Sequence, residues 1–280
     1  MLKVKQRGFG VVEIIIILVI LGLICFIAWR IFGAANSQTT GSSKSFVEWS
    51  FDGENWKPTA TAPACEDPLE LSLPTVASNV TNVLMPGQVR GGDFKPHGGL
   101  SSDNPANNNL SVSTPRDAYL YRGSKYIAED MGKTETQYMF DFMDSCGIMF
   151  RFDHLSTLTD QFKAYADKLP QGQIDDSRTT RFNDHPFIAK GTVVATAVGI
   201  KATQNSFFDV GVYDLRQRNK ASKTDLYKTD QLRISDKEQS FYAVCWFDLL
   251  PPAEKTVIKA LPQRGGLPQG DSDYCTNPWF

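Results

Sequence analysis

The sequence predicts a mainly β protein, an antiparallel β-sandwich with short helical insertions that follows one N-terminal transmembrane α-helix. Brief apolar runs separated by glycine, asparagine, aspartate and proline are typical of strands in a sandwich. Examples are the runs 119–121, 138–142, 148–152, 192–196 and 208–212. One long apolar block near the N-terminus has the length of a spanning helix. Of the 280 residues, 41% are hydrophobic and 21% are charged, which excludes a disordered or fibrous chain.

The apolar block runs from Val11 to Phe32. At ~1.5 Å per residue, a helix of this length crosses the ~30 Å hydrocarbon core. Lys3, Lys5 and Arg7 precede the block and few basic residues follow it closely, so the positive-inside bias predicts a cytoplasmic N-terminus. We therefore expect a single-pass membrane protein with an extracytoplasmic C-terminal domain. A cleaved secretory signal peptide is the alternative, although large side chains rather than small ones end the block.

The start of the block reads Arg7-Gly8-Phe9-Gly10-Val11-Val12-Glu13. This string resembles the type IV prepilin N-terminal methylation motif, in which a short basic leader precedes a Gly, a Phe and, four residues later, a Glu. The resemblance implies that a peptidase cuts after Gly8, that Phe9 becomes a methylated N-terminus, and that Glu13 pairs with a neighbouring subunit. The membrane and pilin-type subunits are then expected partners. A plain uncleaved anchor, with Glu13 at the membrane interface, is the alternative.

These features divide the chain into a basic leader (1–8), a pilin-like transmembrane helix (9–32), a linker (33–44), a hairpin with an irregular lead-in (45–84), the main β domain (85–250) and a C-terminal tail (251–280). Small and polar residues make up the linker, which is typical of a flexible connection. Alternation before Asp52-Gly53 predicts the hairpin. A helix is expected from Leu158 to Leu169, where the apolar side chains share one face.

Cysteine usage predicts disulfides in the exported part. Cys25 lies in the apolar block, whereas four cysteines follow it: Cys65, Cys146, Cys245 and Cys275. An even number in an oxidising compartment favours two disulfides, in any of three pairings. We expect Cys245 to pair with Cys275, which would close the C-terminal tail. Four buried free thiols are the alternative.

Charge excludes nucleic acid as a partner. The formal net charge is −2. The segment up to Phe32 holds four basic residues and one acidic residue, so 25 basic and 30 acidic side chains remain after it. A nucleic-acid-binding surface needs a basic footprint, and the totals provide none.

Two histidine segments mark the candidate site. The first runs from Arg90 to Gly99 and holds His97 among glycines, with Asp103 shortly after it. Glycines beside a histidine permit close backbone approach and an accessible imidazole. The second is Phe152-Asp153-His154-Leu155-Ser156, which follows an apolar run.

In this order, the segments resemble the lysostaphin-type zinc endopeptidases of peptidoglycan, a fold with a duplicated hybrid motif. The resemblance covers about residues 85–215. The first metal-binding histidine of that family falls on His97, and three later family segments fall on 112–118, 152–156 and 189–199. The resemblance implies a lysostaphin-type β fold, zinc as the cofactor and peptidoglycan as the partner.

This sequence departs from the family where zinc is held. The aspartate expected four residues after His97 is Ser101, and the closing His-x-His falls on Asp209-Val210-Gly211. A catalytic zinc site uses three protein ligands and a water. We therefore expect a pseudoenzyme without a metal cofactor, which binds peptidoglycan or protein partners. The residues expected to line its cleft are Arg90, His97, Asp103, His154 and Asp209, of which His154 and Asp209 are vestigial catalytic candidates.

Three alternatives stay open at this point. The first is an active zinc endopeptidase with His97, Asp103 and Asp209 as ligands and His154 as the general base. In the second, His97 and His154 only hydrogen-bond within a β core. The third is a minor pilin or adhesin whose domain fills structural space.

The prepilin resemblance predicts the mature N-terminus. Protein isolated from the cells that make it should begin at a methylated Phe9, because the peptidase of that family cuts after the glycine. Intact-protein mass spectrometry measures this, and Gly8→Asp should retain the leader. An intact Met1, in cells that process other prepilins, contradicts the prediction.

Overall fold

The computed structural model describes residues 46–103, 110–264 and 272–275. Its strands are β1 (Trp49–Phe51), β2 (Trp56–Pro58), β3 (Asn82–Leu84), β4 (Gln88–Arg90), β5 (Asp93–Lys95), β6 (Gly98–Ser102), β7 (Val112–Ser113), β8 (Ala118–Asp130), β9 (Lys133–Met143), β10 (Ile148–Leu158), β11 (Gln171–Ile174), β12 (Thr180–Arg181), β13 (Phe187–Ile188), β14 (Val193–Val198) and β15 (Ser206–Asp214). Its α-helices are α1 (Asp160–Ala166), α2 (Leu226–Thr229), α3 (Gln231–Ile234), α4 (Lys237–Ser240) and α5 (Pro252–Lys259).

Within the described residues, eleven strands form one sheet. Its main order is β11-β8-β9-β10-β15-β6-β3, while β12 and β13 pair with β8, and β14 pairs with β10 and β7. The pairing of β11 with β8 is parallel, and the pairs along the centre of the sheet are antiparallel. The strand pairs β1–β2 and β4–β5 form two small separate sheets.

The chain is mainly β, but the predicted sandwich is wrong, because the strands form one large sheet instead of two packed ones. Alternate side chains of the central strands enter two different cores: Phe150 enters the first and Met149 the second. The first core also holds Phe162 of α1. The second holds Trp49 of the hairpin and Tyr227 of α2. Helices and a hairpin thus cover the apolar side chains of the sheet, which a second sheet was expected to cover.

A second correction concerns the membrane. No helix within the described residues is long and apolar enough to cross a membrane. This finding corrects the transmembrane helix of the predicted fold class and the single-pass localisation. The predicted span, residues 9–32, lies outside the described residues.

Several local predictions are confirmed. The hairpin is present as β1 and β2, which pair across the predicted Asp52-Gly53 turn. The predicted helix is present as α1, and it buries Phe162 and Ala166. The strands β8, β9 and β10 are longer than the apolar runs that predicted them, because polar residues continue the pairing in β8 and β9.

Two disulfides are present, Cys65–Cys146 and Cys245–Cys275. This confirms the prediction of two bonds and the expected pair in the tail. The first joins the irregular lead-in to the turn between β9 and β10, and its cysteines are 81 residues apart in sequence. The second spans 30 residues. Cys25 lies outside the described residues.

The longer disulfide loop predicts a measurable contribution to stability. Replacing both Cys65 and Cys146 by Ser should lower the free energy of unfolding by about 2–5 kcal/mol, because the bond restricts the unfolded chain. The corresponding change at Cys245 and Cys275 should cost less, since its loop is shorter. Guanidinium unfolding of the full-length protein measures both. A loss below about 1 kcal/mol for the first pair contradicts this reasoning.

Candidate functional site

Three neighbouring strands bring His97, His154 and Asp209 together. Asp209 of β15 lies opposite Asp153 of β10 on one side and opposite Gly99 of β6 on the other. His97 directly precedes β6, and His154 follows Asp153 within β10. Three segments that are distant in sequence therefore meet at one place in the sheet, which we call the His–Asp–His cluster (His97, Asp209 and His154).

The Asp209 carboxylate is the centre of the cluster. Its Oδ2 lies 3.0 Å from Nε2 of His97 and 3.6 Å from Nε2 of His154. The Asp209 side chain is 11% exposed, and the imidazoles of His97 and His154 are 17% and 25% exposed, so the cluster is largely buried but still partly accessible. Burial raises the pKa of Asp209, but His97, His154 and Arg90 outweigh burial and hold that pKa well below its usual range. Asp209 is therefore an anion at neutral pH.

A β-bulge turns His154 towards Asp209. The pairing of β9 with β10 shifts register between Phe152 and Leu155, and His154 has a φ of 61°. Successive side chains of a regular strand point to opposite faces, whereas a bulge re-aims one of them. Ligand atoms of Asp153, His154 and Asp209 accordingly lie within 4.8 Å of one another. A positive φ is unfavourable for histidine, and such backbone strain concentrates at functional sites.

Two side chains of the neighbouring strands fix the His154 ring. Oε1 of Gln137 lies 2.6 Å from Nδ1 of His154, and the Tyr126 hydroxyl lies 3.3 Å from the same nitrogen. Nδ1 of His154 thus faces the Gln137 amide, and Nε2 faces Asp209. The Tyr126 hydroxyl donates to Asp153 at 2.7 Å. Burial raises the pKa of Tyr126, so its phenol stays neutral and remains a donor.

The glycines near His97 serve strand packing. A Cβ on Gly99 would lie 3.1 Å from Oδ1 of Asp209 and 3.0 Å from the carbonyl oxygen of Phe208. A Cβ on Gly98 would lie 3.0 Å from the backbone nitrogen of Pro86. The absence of side chains at both positions therefore lets β6 approach its neighbours and leaves space for the Asp209 carboxylate.

Arg90 supports the backbone at His97. Its Nη1 donates to the carbonyl oxygen of Met85 at 2.6 Å, and its Nη2 donates to the carbonyl oxygen of His97 at 3.1 Å. Burial lowers the pKa of Arg90, and the charge of Asp209 opposes this effect. Nη1 of Arg90 also donates to Oε1 of Gln88 at 3.4 Å. Arg90 therefore acts on the cluster through its charge and through the backbone that it holds.

Asp103 and Ser101 do not supply the second zinc ligand of the family. Ser101 is buried, and its hydroxyl lies 3.5 Å from the carbonyl oxygen of Asn82. Asp103 lies just beyond β6 and accepts a hydrogen bond from the Asn82 amide. Within the described part of the chain, the group of close ligand atoms around Asp209 does not include Asp103.

Gly211 stands where the resembled family has its last zinc-binding histidine, and the structure leaves no room for a histidine there. A Cβ on Gly211 would lie 2.8 Å from Cζ of Tyr213. The Tyr213 ring is fully buried there, and its hydroxyl donates to Oε1 of Gln239 at 2.7 Å. A tyrosine thus fills the space above Gly211 that a histidine would need. The residues present do not fit the zinc ion that the family resemblance implies.

Sequence reasoning missed Asp153, Tyr126 and Gln137. Asp153 is visible beside His154 in the sequence, but only the bulge brings both side chains to one face. Tyr126 and Gln137 are directly opposite each other in β8 and β9. Their role depends on strand register, for which the sequence carries no local signal.

A further cation, Arg264, was also missed. Its guanidinium lies over the ring of Phe207 at 4.8 Å, and the Phe207 ring is 4.3 Å from the His154 ring. Burial lowers the pKa of Arg264, while the charges of Asp103 and Asp209 raise it. Arg264 therefore adds positive charge near the cluster from a distant part of the chain.

Comparison of the chain with protein-family models, with curated proteins and with solved structures finds no match. The lysostaphin-type and prepilin resemblances consequently rest on the sequence motifs alone. Gly8, Phe9 and Glu13 lie outside the described residues.

The cluster predicts a pH-dependent contribution of Asp209 to stability. Asp209→Asn should lower the free energy of unfolding by about 1.5–3 kcal/mol at pH 7, as for other hydrogen bonds to a charged group. The pKa of Asp209 is lower in the folded state than in the unfolded state. The contribution is therefore present above the unfolded pKa of about 4 and is lost as the pH falls through the folded pKa.

Urea unfolding at pH 7 and at pH 3 measures this difference. Asp225→Asn is the matched control, because the Asp225 side chain is 94% exposed and should change stability little. Equal stability of Asp209→Asn and the wild type at pH 7 would show that the imidazoles do not hold the carboxylate.

Proposed function

We propose that the described domain is a non-catalytic relative of the lysostaphin-type endopeptidases, which binds peptide groups of peptidoglycan at the His–Asp–His cluster. The observation that carries this proposal is the contact of 3.0 Å between Asp209 and Nε2 of His97. It joins a carboxylate to the histidine that matches the first zinc ligand of the family. The class of ligand comes from the sequence resemblance.

The cluster has the chemistry to bind a peptide group. The buried Asp209 carboxylate accepts from an N–H, and imidazole N–H groups donate to a carbonyl oxygen. Nδ1 of His97 is buried and has no hydrogen-bond partner among the described residues. Buried polar atoms are nearly always satisfied, so this nitrogen favours a further contact from a water or a ligand.

The geometry also supports the loss of hydrolysis. Amide cleavage in the resembled family depends on a metal-activated water. Tyr213 fills the space at Gly211, and Ser101 replaces the aspartate, so two of three ligand positions are unsuited to zinc.

Two further features fit a cell-envelope protein. The disulfides Cys65–Cys146 and Cys245–Cys275 are of the kind that persists in oxidising compartments. Processing after Gly8 would add pilin-type subunits as partners, and this part of the proposal rests on the sequence motif.

An active metalloenzyme is the second candidate. The close approach of ligand atoms of Asp153, His154 and Asp209 favours it, because these three could move onto one ion at ~2.0–2.2 Å per ligand. This set differs from the ligands expected from the sequence, since Asp153 and His154 take the places of His97 and Asp103.

Sedimentation of the full-length protein with purified peptidoglycan tests the proposal. We expect saturable binding, about tenfold weaker in Asp209→Asn, which loses one charged hydrogen-bonding group. Asp225→Asn is the exposed control and should bind as the wild type does. Equal binding by all three proteins, or binding by none, contradicts the proposal.

The same preparations, after incubation with zinc and dialysis, separate the two candidates. The proposal predicts substoichiometric zinc and no release of peptide fragments from peptidoglycan. Stoichiometric zinc together with chelator-sensitive cleavage would establish the metalloenzyme instead.

A further inference from the structure

His97 also borders a cavity of about 270 Å³ that the proposed peptide contact does not use. One wall is the segment 93–97, which includes β5. The second wall is formed by residues of α3 and α4 and of the turn between them, and Arg151 of β10 completes the lining. The cavity is therefore built where a helical insertion meets the central sheet.

Arg151 supplies a buried cation to this cavity. Its Nε and Nη2 donate to the two oxygens of Asp141 at 2.6 Å and 2.9 Å. Asp141 is fully buried, and it also accepts from Nε of Arg122. These bonds hold the Arg151 guanidinium rigidly, and the N–H groups of Nη1 and Nη2 that they do not use remain as donors for a ligand oxygen.

Asp236 supplies a carboxylate to the same cavity. It is half-buried in the turn between α3 and α4. The pKa of Asp236 is raised from an ordinary value of 3.8 to about 6. Burial is the main cause and the charge of Glu238 adds to it, while Arg151 and Arg122 oppose the shift. Asp236 is thus ionised at pH 7.5, although the fold disfavours its charge. Carboxylates held in this way cluster at functional sites.

The remaining lining is both polar and apolar, and Ser235 and Gln239 belong to its polar part. Phe94, Pro96 and Leu232 provide apolar surface. The other charged and titratable groups that line the cavity are His97, Lys95 and Asp93, and the last two pair with each other at 3.2 Å. A cation and an anion in one cavity, beside apolar surface, match a molecule that carries both charges.

We propose that this cavity binds a small zwitterion, a free amino acid or a dipeptide, whose carboxylate contacts Arg151 and whose ammonium contacts Asp236. Its volume lies just below the ~300–1,000 Å³ of pockets for drug-sized ligands, which suits a ligand of this size. The inference deepens the proposed function and rests on it, because a free peptide end beside His97 belongs to the same class of ligand.

Calorimetric titration of the full-length protein at pH 7.5 tests the inference, with alanyl-alanine in its L,L and D,D forms as the probes. At least one form should bind saturably. Its N-acetylated form lacks the ammonium and its C-terminal amide lacks the carboxylate, so each should bind about tenfold to a hundredfold more weakly. Binding should also weaken below pH 6, as Asp236 takes up a proton.

Two variants and one control locate the ligand. Asp236→Asn should weaken binding of the dipeptide by the same factor as N-acetylation, and it should leave binding of the N-acetylated probe unchanged. Leu232→Trp should obstruct the cavity without altering its charges, since Leu232 is 40% exposed at its edge. Asp225 is not among the residues that line the cavity, so Asp225→Asn should bind as the wild type does.

The outcomes separate this inference from the proposed function. Absence of saturable dipeptide binding, or equal binding of the free and acetylated probes, overturns the zwitterion site. If peptidoglycan binding still depends on Asp209, the proposed function stands without it. Dipeptide binding that depends on Asp236, in a protein that does not bind peptidoglycan, supports the cavity and contradicts the proposed function.

Discussion

The contact between the Asp209 carboxylate and the His97 imidazole is the interaction on which the site depends. A buried carboxylate needs compensating partners, because its desolvation alone disfavours the ionised form. His97, His154 and the more distant charge of Arg90 supply that compensation and lower the pKa of Asp209. Without the Asp209 carboxylate, the two imidazoles and the half-buried Arg90 would lose the anion that they share, and Asp153 would be the acidic neighbour left beside His154.

The central sheet produces this arrangement through two faces of different character. On one face, Phe152 of β10 lies between Phe140 and Val210 and enters the first core. On the other face, polar residues occupy successive positions of the same strands. Arg151 lies between Asp141 and Gly211, and the next position on that face pairs Asp153 with Asp209. The cluster and the proposed zwitterion cavity therefore lie beside neighbouring polar positions of one face of the sheet.

Local features of this fold could be predicted from the sequence because they depend on local chemistry. The Asp52-Gly53 turn, the face of α1 and the pairing of Cys245 with Cys275 belong to this class. The sequence could not distinguish a sandwich from a single sheet. Alternation of apolar residues along a strand indicates which side chains are buried, but it does not indicate whether a sheet or a helix covers them. The three residues His97, His154 and Asp209 were selected from motif order. Asp153, Gln137 and Asp236 were missed, because their positions follow from a bulge, from strand register and from an irregular helical insertion.

The most direct test of the account is nitrogen-15 NMR of the histidine side chains in the full-length protein, with and without equimolar zinc. We expect that Nε2 of His97 stays hydrogen-bonded to Asp209 and that its resonance is unchanged by zinc. A zinc-dependent shift of that resonance to the range of a metal-bound imidazole nitrogen would contradict the claim that the carboxylate has taken the place of the metal.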